Sequence, residues 1–393
     1  MRILIANDQH WPMRSGVATA VRTLAQGLSR LGYEVLVVAP SQNSKSSTEK
    51  DVNYTIRRIR SLPLFFRKNL RVAATYDREI RKIIQDFNPD IVHVHTQLTV
   101  GLSVLKMANS LGIPVVATNH VMPDNIIKNV KALKPVSRPI SHILSEYGLL
   151  LYKGVKRIIF PTESVLGLFN LERIEAPAVA ISNGIDLSIY TPRKPKKYIY
   201  EKFDIPTDKK IIAWIGRLDV EKHLDVAVKS FAKLCADYAD VHMLIVGMGN
   251  DESRLLDLVE ELDIADRVTF TGLVSDEDKY ELHRVTTIFA VPSPNELQCL
   301  SMLESMACGK PIVAVNAGAL AELCLNDDDG YLVSVDDVDG FTRSYQMLLD
   351  NPDRLKKFGQ RAREVAETHD TAVVMPRFAK LYAEVIAESR ADS

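Results

Sequence analysis

The sequence contains few cysteines, and they show no pairing pattern. Four occur in 393 residues, and no two of them have the C-x-x-C spacing of zinc or redox sites. They are Cys235, Cys299, Cys308 and Cys324. A disulfide framework and a structural zinc site are therefore not expected, and the composition fits a reducing cytosol.

Long hydrophobic runs and a large net charge are also missing. No stretch reaches the ~18–20 apolar residues of a transmembrane helix, and Met1–Ala6 is predicted to be a first strand, because it is too short for a signal peptide. The net charge of −1 gives no support for nucleic-acid binding. With 46% hydrophobic and 25% charged residues, we expect a globular, cytoplasmic protein.

Short β-rich runs alternate with helical patterns along most of the chain. This alternation predicts the α/β class, with parallel sheets covered by helices on both faces. A proline-broken, basic segment at 190–200 interrupts the pattern and is predicted to be a linker. We therefore predict two Rossmann-like, doubly wound domains at 1–189 and 201–371, with a cleft between the carboxyl edges of their sheets. Ser41–Lys50 is predicted to be a polar loop.

One strand–turn–helix segment carries two carboxylates. The strand Ile288–Pro292 is followed by a turn with Glu296, by a helix predicted to start near Leu297, and by Glu304 about two helical turns later. Gly309 suits a helix C-cap. Such turns bind phosphate in open α/β sheets, and carboxylates accept hydrogen bonds from sugar and ribose hydroxyls. The segment predicts a site for a nucleotide carrying a sugar; the alternative is two solvated helix glutamates.

Cations and glycines follow two other strands of the second half. Arg217 and Lys222 come after Gly216, and such a pair can bind a diphosphate; a solvated basic pair is the alternative. Gly247-Met248-Gly249 lacks the third glycine of a dinucleotide motif, so it is equally well a tight turn. The loop at Gly272 either places backbone groups against a base or only ends a strand.

The first half offers a helix N-terminus and a histidine. Ser15-Gly16 opens the first helix and is a candidate phosphate-binding loop with one glycine. His120 follows a strand and is a candidate for polar catalysis or for hydrogen bonding to a sugar; a structural loop histidine is the alternative. His93 and His95 point the same way from one strand, but without a third ligand they predict no metal site.

Taken together, these segments resemble the retaining GT-B-fold glycosyltransferases of glycosyltransferase family 4. The resemblance extends over essentially the whole chain and is strongest in the second half. Its residues there are Gly216–Lys222, Gly247-x-Gly249, Phe270–Gly272, and Glu296-x7-Glu304 followed by Ser305–Ala314. It implies a GT-B architecture with an acceptor-binding first domain, a donor-binding second domain, and a final helix at about 372–393 that packs back on the first domain.

The resemblance also implies roles for individual residues. Arg217 and Lys222 would neutralise the donor diphosphate, and Glu304 would hold the ribose hydroxyls. Glu296 and His120 would contact the donor sugar. The residues it assigns to catalysis are His120, Glu296, Arg217 and Lys222. The residues it assigns to donor binding are Gly16, Gly216, Arg217, Lys222, Gly247, Gly272, Glu296, Leu300 and Glu304.

Two positions depart from the family's pattern. The family often has two glycines where this chain has Ser15-Gly16. Gly16 alone would then let the loop approach the β-phosphate of the donor. The family often has glycine at the position of His223, a change that bears little on the chemistry.

The implied reaction moves a hexose from a nucleotide sugar, of the UDP-glucose or GDP-mannose type, to a hydroxyl acceptor with retention of configuration. The departing diphosphate would accept the acceptor's proton on the same face, and no metal or other cofactor is required. Three alternatives stay open: a nucleotide-sugar epimerase on the same fold, a non-catalytic sugar-nucleotide-binding protein, and a dinucleotide oxidoreductase. The missing G-x-G-x-x-G after the first strand argues against the last.

Basic and apolar residues are interleaved in two segments of the first domain, 61–70 and 125–157. A basic, amphipathic surface fits peripheral binding to anionic lipid at the inner face of the cell membrane. Family members that glycosylate diacylglycerol or phosphatidylinositol lipids have this character. We therefore predict a lipid or glycan acceptor, with a membrane glycolipid precursor such as diacylglycerol as the main hypothesis; ordinary amphipathic core helices are the alternative.

Overall fold

The computed structural model divides the chain into two compact units. Within the described residues, the first comprises those up to Gly184 together with Thr371 onward, and the second comprises Ile185–Asp370. The structure describes residues 1–13, 15–64, 67–96, 98–120, 152–167 and 176–391.

An eight-stranded sheet forms the centre of the first unit. Its strands are β1 (Arg2–Ala6), β2 (Glu34–Pro40), β3 (Ser47–Asp51), β4 (Tyr54–Ile59), β7 (Ile91–Val94), β8 (Val115–Thr118), β9 (Arg157–Phe160) and β10 (Ala178–Ala180), and β5 (Ser61–Leu64) and β6 (Arg67–Ala73) form a separate hairpin. The order is β10-β9-β8-β7-β1-β2-β4-β3. Neighbours pair in parallel except β3 with β4.

The helices of the first unit include one that the chain reaches only after the second unit. Within the described ranges they are α1 (Gly16–Arg30), α2 (Asp77–Phe87), α3 (Val100–Ser110), α4 (Glu163–Leu166) and the C-terminal helix (Thr371–Ala391). Phe378, Leu381 and Tyr382 of the C-terminal helix are buried in one core with Leu24 and Leu28 of α1. The C-terminal helix is therefore part of the first unit's hydrophobic core.

A buried carboxylate joins the end of β1 to the start of α3. Asp8 is 1% exposed, and its oxygens accept hydrogen bonds from the backbone N–H groups of Thr99 (2.9 Å), Val100 (2.7 Å) and Gly101 (3.2 Å). These are first-turn amides that have no acceptor within the helix. Because a carboxylate at a helix N-terminus also interacts favourably with the helix dipole, Asp8 fixes α3 against the end of β1.

The second unit has a six-stranded sheet in which every neighbouring pair is parallel. Its strands, in the order β13-β12-β11-β14-β15-β16, are β11 (Lys210–Ile215), β12 (Val241–Val246), β13 (Val268–Phe270), β14 (Ile288–Val291), β15 (Ile312–Val315) and β16 (Gly330–Val333). Its helices are α5 (Tyr198–Lys202), α6 (Leu224–Cys235), α7 (Glu252–Glu261), α8 (Asp276–Val285), α9 (Leu300–Ala307), α10 (Leu320–Leu323), α11 (Val338–Leu349) and α12 (Pro352–Glu367). The prediction of the α/β class with parallel sheets is confirmed.

Two segments differ from what the sequence predicts. Ser41–Lys50, expected to be a polar loop, contains the start of β3, an edge strand whose partner is β4. Exposure of most of its residues removes the alternation that marks a strand. Residues 190–200, expected to be a linker, instead pack in the second unit, where Tyr190 and Ile199 are buried in its core.

The two segments expected to contact a membrane are described only in part. Of 125–157, residues 125–151 lie outside the described ranges. Of 61–70, Ser61–Leu64 and the start of Arg67–Ala73 form the strands of the β5–β6 hairpin, residues 65 and 66 lie outside the described ranges, and Leu62 is 65% exposed. None of the helices within the described ranges combines the length and the hydropathy of a membrane span.

Candidate active site

The order of the second sheet locates a ligand-binding edge. From β11 the chain moves to β12 and β13 on one side, then crosses to β14, β15 and β16 on the other. The carboxyl ends of β11 and β14 therefore flank a topological switch point, where open α/β sheets bind ligands. The loops that leave these two strands are Gly216–Lys222 and Pro292–Cys299, which contain the cations and the first glutamate predicted from sequence.

Lys222 and Glu296 meet across this switch point. The Nζ atom of Lys222 lies 2.6 Å from Oε1 of Glu296, and the two side chains are 10% and 11% exposed. An ammonium group has three N–H donors and a carboxylate has several acceptor positions. Each group can therefore bind a ligand while the pair stays intact, the cation an anionic ligand and the carboxylate a hydroxyl.

Arg217 lies on the same loop but is more accessible. Its side chain is 47% exposed, and its guanidinium pairs with the buried carboxylates of Asp219 and Glu221, the latter at 2.7 Å from Nη2. Asp219 also accepts a hydrogen bond from the backbone N–H of Asn250. The loop after β11 is thus held by its own ion pairs, and Arg217 keeps part of its surface open to a ligand.

The glycines after β12 are required by backbone packing. Gly247 has φ +133°, and a Cβ atom there would lie 1.9 Å from the carbonyl oxygen of Gly216. A Cβ atom on Gly249 would lie 2.1 Å from the carbonyl oxygen of Leu218. Gly247 also donates its N–H to the carbonyl of Gly272, at 3.0 Å. The G-x-G pattern therefore brings three loops together at the carboxyl edge of the sheet.

Helix α9 begins later than its sequence pattern predicts. Cys299 has a left-handed backbone (φ 54°), and its carbonyl accepts from Met302 and Leu303, so the helix starts at Leu300 and not near Leu297. At the other end Gly309 has φ +72° and donates to the carbonyl of Met306, which is the expected C-cap geometry. The N-terminus of α9, whose first two amides have no acceptor earlier in the helix, follows directly from the turn that carries the switch-point glutamate.

Polar atoms in and after this turn are buried without a partner among the described residues. They are Oγ of Ser293, Nδ2 of Asn295 and Oγ of Ser301. Buried polar side-chain atoms are nearly always hydrogen-bonded in proteins, to protein, water or ligand. Three such atoms beside a helix N-terminus indicate a surface built to receive polar groups.

Glu304 lies on a buried side of α9, and both of its carboxylate oxygens bind other groups of the protein. It is 2% exposed, and its oxygens contact the hydroxyl of Tyr190 (2.8 Å), Nζ of Lys279 (2.6 and 2.7 Å) and Nε2 of His283 (3.1 Å). Burial raises the pKa of this carboxyl, but the charge of Lys279 and the hydrogen bond from His283 outweigh it and lower the pKa to about 2. Glu304 is therefore ionised, with Lys279 as its counter-cation.

These partners of Glu304 were not identified from the sequence. Lys279 and His283 are four residues apart and so share one face of α8. That spacing is a usable signal only once Glu304 is known to be buried and in need of a cation. Lys279 is 27% exposed, whereas His283 and Tyr190 are buried. The approach to Glu304 is therefore most open on the side where Lys279 binds it.

The first unit has a switch point of its own. The chain moves from β1 to β2 on one side and returns to β7 on the other. Gly16 is the first residue of α1, the helix that follows β1. Oγ of Ser15 caps this helix by accepting a hydrogen bond from the backbone N–H of Ala18 at 3.1 Å. A Cβ atom on Gly16 would meet nothing within 4 Å. The space beside this helix N-terminus is therefore open, and a role of Gly16 in contacting a phosphate stays a prediction.

His120 lies at the carboxyl edge of the same sheet, beyond β8. Its side chain is partly buried, and its Nε2 atom lies 2.8 Å from Nδ1 of His95. Burial lowers the pKa of His120 to about 4, so the ring is neutral at pH 7. In the described part of the chain no group of three or more histidine, cysteine or carboxylate side chains is arranged to hold a metal ion.

Two family models match the chain in succession. Residues 14–189 match the model described as Glycosyltransferase Family 4, and residues 196–365 match the model described as Glycosyl transferases group 1. Among solved structures, a sucrose-phosphate synthase from Thermosynechococcus elongatus superposes with a TM-score of 0.78 at 17% identity, covering 99% of this chain and 100% of that one. The fold is therefore that of the GT-B glycosyltransferases.

Two curated relatives are similar over most of their length. An alpha-monoglucosyldiacylglycerol synthase from Streptococcus pneumoniae is 29% identical over 80% of this chain and 71% of its own. A phosphatidyl-myo-inositol mannosyltransferase from Mycolicibacterium smegmatis is 26% identical over 97% of this chain and 93% of its own. The chain is thus an enzyme of the hexosyltransferase class. It belongs to the family 4 glycosyltransferases.

Replacing Lys279 with methionine tests the pairing of Glu304. Because the variant leaves a buried carboxylate without its cation, we expect the free energy of unfolding at pH 7 to fall by about 3 kcal/mol. The matched control is Lys229→Met, which removes an exposed i,i+4 partner of Asp225 and should cost less than about 0.5 kcal/mol. Chemical denaturation of both variants measures the difference.

The pH dependence of this effect has a defined sign. The depressed pKa of Glu304 contributes stability that is complete above about pH 4.5 and is lost as the pH falls toward 2. The gap between the wild type and Lys279→Met should therefore narrow over that window. A gap that stays constant from pH 7 down to pH 3 would contradict the assigned pairing.

Proposed function

We propose that the protein is a retaining hexosyltransferase that moves a hexose from a nucleotide sugar, of the UDP-glucose or GDP-mannose type, to a hydroxyl of a membrane lipid. The observation that carries the proposal is the Lys222–Glu296 pair at the switch point of the second unit, beside the N-terminus of α9. A cation and helix amides suit a diphosphate, and a carboxylate suits sugar hydroxyls.

The donor is proposed to bind the second unit. Lys222, Arg217 and the amides at Leu300 would take the diphosphate. Glu296 would accept hydrogen bonds from the sugar, and Glu304 from the ribose. Gly216 and Gly247 would let the loops beside the nucleotide pack closely, and Gly272 would leave the adjoining edge open. In the first unit, Gly16 and His120 would contact the β-phosphate and the sugar.

The proposed chemistry needs no protein nucleophile. The bond between the anomeric carbon and the diphosphate oxygen breaks first, as negative charge develops on the leaving group near Lys222 and Arg217. The acceptor oxygen then bonds to the same face of the anomeric carbon, and its proton passes to an oxygen of the departing diphosphate. Preorganised cations and amides lower the barrier by stabilising the developing anion, so no metal ion is required on this account.

The lipid acceptor is supported by the relatives and by composition. The two curated relatives are named for the glycosylation of diacylglycerol and of phosphatidyl-myo-inositol. Residues 61–70 and 125–157 interleave basic and apolar residues, the pattern of peripheral binding to anionic membranes. We therefore propose a lipid with a free hydroxyl, acted on at the cytoplasmic face of the membrane.

Transfer to lipid can be tested directly. The protein is incubated with UDP-glucose or GDP-mannose and vesicles that contain diacylglycerol or phosphatidylinositol. We expect one donor to give a glycolipid that keeps the donor's anomeric configuration, measured by NMR, and we expect the reaction to persist in EDTA. An altered sugar nucleotide formed without acceptor would instead indicate an epimerase. Stabilisation by a nucleotide sugar without any product would favour the non-catalytic binding protein.

Removing the Lys222 cation tests the donor site. We expect Lys222→Met to lower kcat/KM by about 100- to 1000-fold, because a preorganised charge at the leaving group is lost. The exposed Lys229→Met variant carries the same substitution on α6 and serves as the control. Equal activity in the two variants would remove Lys222 from the proposed site. Thermal unfolding without ligand shows whether each variant is folded.

Membrane contact is tested by sedimentation with vesicles. We expect binding to phosphatidylglycerol vesicles at low salt and loss of binding at high salt, because the attraction is electrostatic. The double variant Arg67→Glu/Lys68→Glu should weaken binding. The control, Arg81→Glu/Lys82→Glu, makes the same charge change on the exposed face of α2. No sedimentation of the wild-type protein at low salt would refute this part of the proposal.

A further inference from the structure

Three histidines form a contiguous group at the carboxyl edge of the first sheet. His93 lies in β7, His95 follows that strand directly, and His120 follows β8. The ring centroids of His93 and His95 are 4.1 Å apart, and those of His95 and His120 are 5.1 Å apart with the planes only 19° from parallel. The ring of His95 is thus in contact with both other rings.

The first ring of the group is held at both nitrogens. His93 is fully buried, its Nδ1 atom lies 2.6 Å from the hydroxyl of Tyr382, and its Nε2 atom lies 2.7 Å from Oγ1 of Thr118. Tyr382 comes from the C-terminal helix and is itself buried. Because His93 cannot rotate without breaking both bonds, the ring packed against it, His95, is fixed in orientation as well.

All three rings are neutral at pH 7. Burial lowers the pKa of His93 to about 3 and that of His120 to about 4, and it lowers the pKa of His95 well below the ordinary value. The other groups that act on His95 are His93, His120 and His10, and positive charge on any of them would oppose its protonation further. A neutral imidazole has one N–H and one lone pair. The single hydrogen bond between Nδ1 of His95 and Nε2 of His120 therefore has one donor.

The other nitrogen of His95 decides which ring donates. His95 is 5% exposed, and its Nε2 atom has no hydrogen-bond partner among the described residues. If His120 donated, the only ring proton of His95 would lie on Nε2, as a buried N–H without an acceptor. A buried N–H without an acceptor is rarer in proteins than a buried acceptor without a donor, and it costs more free energy. If His95 donates from Nδ1, only a lone pair stays unpaired. The proton of His95 therefore lies on Nδ1.

We infer that His95 is a positioning residue that fixes His120 as the Nδ1–H tautomer, so that His120 presents an N–H donor and no basic nitrogen to its ligand. This consequence for a bound sugar rests on the proposed function. A donor at His120 suits a sugar hydroxyl or an oxygen that gains negative charge. It leaves the acceptor's proton to the departing diphosphate and not to His120.

The assignment is tested with protein carrying 15N-labelled histidine. Protonated and unprotonated imidazole nitrogens resonate in well-separated ranges, and His95→Asn and His120→Gln assign the signals. We expect Nδ1 of His120 to be of the protonated type and its Nε2 of the unprotonated type near pH 7. The opposite pattern would overturn the inference. This measurement involves no nucleotide sugar, so it is independent of whether the protein transfers sugar.

Two substitutions separate a positioning role from a structural one. Asparagine at 95 can place an amide N–H near the position of Nδ1, whereas leucine cannot. We expect the His95→Asn variant to keep the nitrogen pattern of His120 and a kcat within about three-fold of wild type. We expect the His95→Leu variant to lose that pattern and to have a kcat lower by at least about ten-fold. An unchanged His120 pattern in a folded His95→Leu variant would overturn the inference. If the His95→Leu variant does not fold, loss of the His120 nitrogen pattern in the His95→Asn variant would overturn the inference.

A control histidine lies in the second unit. His242 is hydrogen-bonded through Nε2 to Oγ1 of Thr269 at 2.9 Å, and His242→Asn should alter neither the His120 signals nor kcat. If the expected nitrogen pattern is found but no nucleotide sugar supports transfer, the tautomer assignment stands and the proposed function is rejected. If transfer is found but the nitrogen pattern is the opposite one, the proposed function stands and the tautomer assignment is rejected.

Discussion

A carboxylate that is almost fully removed from water must be paired with positive charge, and Glu304 imposes this requirement on the second unit. Its partners come from separate parts of the chain: Tyr190 precedes α5, whereas Lys279 and His283 project from α8. The polar contacts therefore fix where α8 and α9 lie relative to each other, in addition to the apolar packing around them. Since α9 starts at the turn with Glu296, the buried pairing also determines where that turn presents its carboxylate and the helix amides.

Both units use strand order in the same way. In each sheet the chain leaves one strand in one direction and later returns to its other side, at β1 and β7 in the first unit and at β11 and β14 in the second. The carboxyl ends at these points carry the polar groups that the proposed chemistry uses. Most of the buried interior is apolar, so the exceptions at these edges, such as Asp8, are held by dense hydrogen bonding.

Elements with a strong local signal were predictable from sequence. Buried strands such as β14 are apolar throughout, and Gly309 ends α9 as a glycine with positive φ should. The sequence pattern predicts the start of α9 three residues too early, because a left-handed Cys299 leaves no local signature. The pairing of Glu304 with Lys279 could not be predicted, since it depends on how α8 packs against α9. Likewise β3 is set by its pairing with β4 and not by a pattern of its own.

The position of the C-terminal helix has a consequence for how the protein is made. Val374, Phe378 and Tyr382 complete the core that β1 and α1 begin, yet the ribosome synthesises them only after the second unit. During translation the second unit, whose described residues run without a break from Ile185 to Asp370, has all of its described core residues available before the first unit does. The sheet of the first unit therefore keeps an apolar face uncovered until the C-terminal helix has been synthesised, which differs from the usual order in which the N-terminal domain folds first.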